Sequence, residues 1–258
     1  AAQADGERER SKNGDDSEHT PAPGTLTWHQ RLPRPPADFP GRADFNLTSE
    51  EASFLLDCIQ RNHTNSLLAH LALRCEPADV GAPWLHPDLA SFTPLHRELL
   101  DHARRFSEVM HGAALVYNMA LALERSWDEK VEKHREALDA WVAILDLADV
   151  REWSLSRLWE LTVGFGHTIR PATRRFVADW VRLVGAGADT LGDDLPPREL
   201  VRRREMSIKL ARSRFTNRRA LDQWGGSSGL GRMTYRWSKA TTFLRDLHAA
   251  LGSGEPTC

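Results

Sequence analysis

The stretch TPLHRELLDHARRFSEVMHGAALVYNMALALER, residues 93–125, decides the fold. Thr93-Pro94 reads as a helix start: a hydroxyl that caps free amides, then a proline where its missing N–H costs nothing. No further proline occurs until well past Glu124. From Val109 to Leu123 the residues are apolar nearly all round, so this helix is buried on several sides and forms the core. Gly112, Ala113 and Ala114 are small, and a neighbour can approach closely there. Arg104, Glu108, His111, Asn118 and Arg125 lie within a narrow arc of the same helix. A polar line on a buried helix must find partners.

Upstream, Thr48-Ser49-Glu50-Glu51 is a capping box, and Ala52, Leu55, Leu56 and Ile59 follow at helical spacing. A short helix is expected over Ser66–Arg74, then a loop over Pro77–Pro87. Downstream, Ser126-Trp127-Asp128-Glu129 reads as a second capping box. It would start an amphipathic helix through Val131, Leu138, Trp141, Val142 and Leu145 to about Leu147. Shorter helices are expected around Ser154–Leu161 and from Pro171 to Val184. Gly185 to Pro197 marks a loop. Arg198–Leu221 then reads as one helix, Trp224–Gly231 as a Gly/Ser turn and Met233–Leu251 as the last helix.

No run of alternating β-branched residues and no internal repeat is present, so the expected fold is all-α. It is an irregular multi-helix bundle around the central helix 94–124. Residues 1–24 read as a disordered linker, and residues 25–45, with Pro33, Pro35, Pro36 and Pro40, as an extended Pro-rich arm. A single helical domain spans 46–251, and residues 252–258 form a tail. The chain opens at Ala1 in polar linker text, which reads as the C-terminal portion of a longer protein.

The 258 residues are 41% hydrophobic and 27% charged, which suits a globular domain with a sizeable core. Nine Trp against two Tyr point to indoles at helix crossings. The three cysteines, an odd number without a CxxC pair, support neither a disulfide framework nor a zinc site. No signal peptide or membrane-spanning stretch is present. These features together read as cytoplasmic, with no membrane partner.

Charge is polarised. Arg198–His248 holds thirteen Lys and Arg against four acids, a local charge of +9. The chain as a whole has 34 bases and 36 acids, so the remainder carries 21 against 32, or −11. Arg198, Arg202, Glu205, Lys209, Arg212, Thr216 and Arg219 step by four and three, one stripe on a continuous helix. Leu200, Val201, Ile208, Ala211 and Phe215 would face the core, with Arg204 a flaw in that arc. The last helix adds Arg232, Arg236, Lys239 and Arg245, interleaved with Trp224, Tyr235, Trp237 and Phe243. Such a face suits nucleic acid: cations neutralise phosphates and aromatics stack on bases. The candidate nucleic-acid residues are Arg198, Arg202, Lys209, Arg212, Arg219, Arg232, Arg236 and Lys239. The same stripe, docked on the acidic body or on a missing N-terminal region of the protein, would instead be an internal or protein-partner surface.

Other chemistry has weaker signals. Trp224–Gly231 lacks the Gly-Lys-Ser/Thr ending of a phosphate loop. Glu108-x-x-His111 matches the pair used in di-iron bundles, but no second pair exists. No metal or cofactor is therefore expected. Glu108, His111 and Asn118 are the catalytic candidates, as part of an enzyme whose site a missing N-terminal region would complete; their other reading is a hydrogen-bond network that fixes helix register.

Four stretches resemble a bacterial family known only as a domain of unknown function, DUF6361. They are Phe45–Ala52, Phe106–Asn118, Arg212–Arg218 and Tyr235–Trp237. The resemblance runs from about Phe45 to Leu251. It implies a bacterial, cytoplasmic protein whose relatives carry another N-terminal region, and it brings no activity, cofactor or catalytic residue.

Overall fold

The computed structural model describes residues 29–252, apart from 36, 42–43, 74–77, 188–190 and 193. The expected linker and most of the expected tail lie outside the described residues, as does Trp28. Ten α-helices and no strand occur among the described residues.

The central helix is α3, Pro94–Glu124, 31 residues and so about 46 Å long. Thr93 caps it, its hydroxyl oxygen accepting from the His96 amide at 3.1 Å. Three apolar clusters share this one helix. Leu100, in its second turn, packs with α1 (Ser49–His63), α2 (Leu67–Ala72) and α10 (Trp237–Gly252). Its middle, Val109 to Val116, is enclosed by α4 (Asp128–Ile144), α5 (Leu147–Glu152), α6 (Leu155–Gly164), α7 (Pro171–Ala186) and α8 (Leu195–Lys209). Its end, Ala120 to Ala122, meets Phe215, Leu221 and Trp224. Leu221 belongs to α9, Arg218–Asp222.

The indoles sit at the crossings. Trp141 Nε1 donates to the Glu108 carbonyl at 2.9 Å, and Trp180 Nε1 to the Val109 carbonyl at 2.8 Å. Each of these α3 carbonyls has a second lone pair to offer beyond its helical bond. Trp153 Nε1 donates to His102 Nδ1 at 2.9 Å, and Trp237 Nε1 to the Val80 carbonyl at 2.7 Å. The small face of α3 lets Trp141 in: a Cβ on Gly112 would stand 2.4 Å from its ring.

Local details depart from expectation where one residue has two possible uses. Ser126 does not cap α4, whose N-terminal cap is Trp127 with no side-chain bond. Ser126 instead takes φ +54 and ends α3. The Trp127 amide donates to the Ala122 carbonyl at 2.9 Å and the Ser126 amide to Leu123 at 3.0 Å. This is a Schellman closure, with serine in the position usually held by glycine. The capping box at Thr48 and Glu51 does form.

The expected helix Arg198–Leu221 is broken. Asp194 precedes α8, and Pro196 and Pro197 fall in its first turn. The helix stops at Lys209, because Leu210 adopts φ +48 and a 3-10 turn follows before α9. The last helix likewise starts at Trp237 and not at Met233, after Tyr235 and Arg236 at φ +52 and +62. Tyr235 Oη donates to the Ala103 carbonyl at 3.0 Å, which ties that bend to α3. Among the described residues of the N-terminal arm, turns occur at 30–32 and 37–41. The arm meets α1 through the Arg31–Asp57 ion pair and a His29–Phe54 ring contact, while Phe39 and Phe45 are exposed.

Candidate nucleic-acid interface

The basic third is held to α3 by its own backbone. Asn118, buried completely, donates through Nδ2 to the Ser228 carbonyl at 2.8 Å and to the Ala114 carbonyl at 2.7 Å. Arg125 Nη1 donates to the Trp224 carbonyl at 2.7 Å. His134 of α4 bonds through Nε2 to the Gly226 carbonyl at 2.9 Å. Since a carbonyl only accepts, Nε2 carries the proton. Burial lowers the His134 pKa, which keeps the ring neutral. Three carbonyls of the Gly/Ser turn thus face inward onto donors. Gly226 sits at φ +89, and a Cβ there would stand 2.7 Å from the Lys130 side chain.

A second junction joins α8 to this turn. Glu205 is 6% exposed, although the stripe places it on the solvent side. Its Oε1 accepts from the Arg214 amide and from Lys209 Nζ, both at 3.2 Å. Arg214 Nη1 in turn donates to Tyr117 Oη at 2.9 Å and Ser228 Oγ at 3.3 Å. Burial, with the Glu205 carboxylate beside it, pushes the Tyr117 pKa up to about 12. Ile208, expected in the core, is 59% exposed. The buried arc of α8 runs through Pro197, Leu200, Val201 and Glu205, so the real face is rotated from the expected one. Arg204 accounts for its place in the apolar arc: its guanidinium lies over Phe176 and donates to Thr173 Oγ1 at 2.8 Å.

The eight candidate cations do not form one stripe. Arg202 pairs with Glu124 of α3 at 3.1 Å, Lys209 with Glu205 of its own helix, and Arg198 donates to the Asp194 carbonyl. Arg212, Arg219, Arg232, Arg236 and Lys239 are exposed and carry no ion pair among the described residues. They lie beyond the break at Leu210, in the 3-10 turn, α9, the turn before α10, and α10 itself. Trp224 and Trp237, expected beside the cations as stacking platforms, are 3% and 5% exposed and belong to the core. Their rings are needed there: Trp224 meets Trp127 edge-on and Trp237 fills the cluster of α1, α2 and α10. Tyr235 is 49% exposed, with its hydroxyl spent on Ala103.

No hydrogen bond joins Glu108, His111 and Asn118 to one another among the described residues. The Glu108 carboxylate accepts from Arg104 at 2.8 Å, and Arg104 also reaches Asp101 and Asp149. His111 Nδ1 is buried with no hydrogen-bond partner, and burial, then the positive charge of Arg232, lowers its pKa. No group of three or more His, Cys, Asp or Glu among the described residues is placed to hold a metal ion. No helix among them is long and apolar enough to cross a membrane. The buried Glu205–Arg214–Tyr117–Ser228 junction escaped the sequence reading. Its one signal was a lone glutamate within a run of arginines.

The molecule is thus an all-α protein whose basic C-terminal segment is bolted onto one buried helix. A family described as a family of unknown function, DUF6361, matches residues 21–251, and the chain belongs to it. No curated protein and no solved structure matches the chain.

Proposed function

We propose that this domain contacts the sugar-phosphate backbone of nucleic acid through Arg212, Arg219, Arg232, Arg236 and Lys239. The observation that carries the reading is that these five cations are exposed without a carboxylate partner among the described residues, whereas Arg202 and Lys209 are neutralised. Exposed guanidinium and ammonium groups on a +9 segment attract phosphates and release their counterions. With Trp224 and Trp237 buried, base stacking contributes little, so binding is insensitive to sequence. A fluorescently labelled duplex titrated at two salt concentrations tests this. Affinity should fall steeply as salt rises, and duplexes of different sequence should bind alike. Absence of binding at low salt, or affinity independent of salt, overturns it.

A second reading is a protein-interaction surface. It is supported by Ile208 and Leu210, 59% and 71% exposed at the end of α8 beside Lys209 and Arg212. An acidic protein partner would be weakened by Ile208→Ser, a change that leaves phosphate contacts intact.

A further inference from the structure

We propose that the cavity between α3, α6 and α10 binds a fatty-acid-like amphiphile, with its hydrocarbon body inside and an anionic head at the α6–α7 connection. The cavity is open to solvent on one side and has a volume of about 500 Å³, within the range of small-molecule sites.

Its walls come from two of the three clusters that meet on α3. Leu71, Leu100 and Trp237 belong to the cluster of α1, α2 and α10, and Phe106, Leu158 and Trp159 to the main one. These walls are large and apolar, and two are indoles. The polar lining is Thr162, His167, Thr173 and Tyr235. Two of these groups are already spent. Tyr235 Oη donates to the Ala103 carbonyl, and Thr162 Oγ1 donates to the Trp159 carbonyl at 3.0 Å. Thr173 Oγ1 accepts from Arg204 and keeps a proton to donate. The His167 ring is exposed and has no hydrogen-bond partner among the described residues.

Charge selects the head group. From Leu161 to Ala178 the chain holds no Asp or Glu, while Arg170, Arg174 and Arg175 follow His167 in the sequence. Arg174 rests its guanidinium 5.6 Å from the Trp159 ring centroid, in the neighbouring cleft that Trp159 shares with Glu160 and Val163, while Arg204 reaches the cavity lining through Thr173. A carboxylate head meets His167 and Thr173, with the Arg204 guanidinium behind Thr173, and an apolar tail meets Leu, Phe and Trp. An apolar molecule without a head leaves His167 unused, and a purely polar one gains nothing from the walls. The site uses none of the five cations proposed for nucleic acid, so the two readings stand or fall separately.

The test is titration of the full chain with oleate below its micelle concentration, followed by displacement of a fluorescent apolar probe. Saturable binding is expected. Ala103→Phe, which puts a ring into the cavity from α3, should weaken it at least tenfold while the urea midpoint holds or rises. If that variant fails to fold, Ala240→Phe makes the same test from α10. His167→Ala should weaken oleate severalfold and leave binding of oleyl alcohol unchanged. No saturable oleate binding, or equal binding by a folded, filled variant, overturns the proposal. Equal loss of oleate and oleyl alcohol in His167→Ala overturns the placement of the head.

Discussion

Gly112→Ala is the sharpest test of how α3 organises the fold. An added Cβ would lie 2.4, 2.6 and 2.7 Å from three atoms of the Trp141 indole. Carbon pairs settle near 3.5–4.0 Å, so the overlap exceeds a full ångström. The ring has little room to move: it is 3% exposed, and its N–H is held by the Glu108 carbonyl one turn away. Overpacking of a filled core costs about 1–3 kcal/mol, and a rigid ring in contact at three atoms belongs at the upper end. Replacing a mid-helix glycine by alanine returns about 1 kcal/mol of backbone entropy. The net expectation is a loss of about 2 kcal/mol. Urea denaturation followed by far-UV circular dichroism measures it. In a Trp141→Ala background the added methyl enters vacated space, so the same change should there stabilise by up to about 1 kcal/mol. The coupling between the two sites is then about 3 kcal/mol. Stabilisation of the wild type by Gly112→Ala would refute the claim that α3 and α4 meet through this close approach.

Asn118→Ala should cost about 1–3 kcal/mol and unfasten the Gly/Ser turn, which hydrogen exchange at the Gly225–Gly229 amides would detect; unchanged protection there would contradict the bolt. Ser126→Gly should raise stability by about 0.5–1 kcal/mol in urea, because glycine occupies the left-handed position without strain; a loss would count against the Schellman closure. Stability should also fall with acid. Burial lowers the pKa values of His102, His111 and His134 in the fold, so the unfolded chain binds protons first. The stability is fully present above the unfolded histidine value of about 6.5 and is lost as pH drops below it. The urea midpoint should therefore decline between about pH 7 and pH 5.5, and a flat profile would contradict neutral, buried rings.

The central helix was legible because its signals are local. Thr93 and Pro94 start it by rules that need no tertiary partner, and Gly112 marks the close approach. Ser126 was misread because Ser-x-x-Glu satisfies a capping box as well as a serine can end the preceding helix. Hydrogen bonds to Ala122 and Leu123 decided the matter, and those depend on where α3 stops. The breaks at Leu210 and Tyr235 carry no glycine or proline to announce them. At Tyr235 the left-handed turn is tied down by a bond to Ala103, 132 residues away. Glu205 and Ile208 exchanged places for a similar reason. The glutamate is buried next to Arg214 and Tyr117, a grouping that periodicity along α8 does not reveal. The charge excess of the last third was plain in the composition, whereas which of its cations remain unpaired depended on Glu124 and on that same Glu205.

The proposed interaction with nucleic acid rests on five cations beyond the break at Leu210, on a segment fixed to α3. The direct measurement is the slope of log affinity against log salt for a labelled duplex. It should be compared between the wild type and a variant with Arg212, Arg219, Arg232, Arg236 and Lys239 changed to Gln. Five phosphate contacts predict a wild-type slope of about −4.5, and the variant should lose most of it while its urea midpoint stays unchanged. A variant that keeps both the affinity and the slope of the wild type would contradict the account.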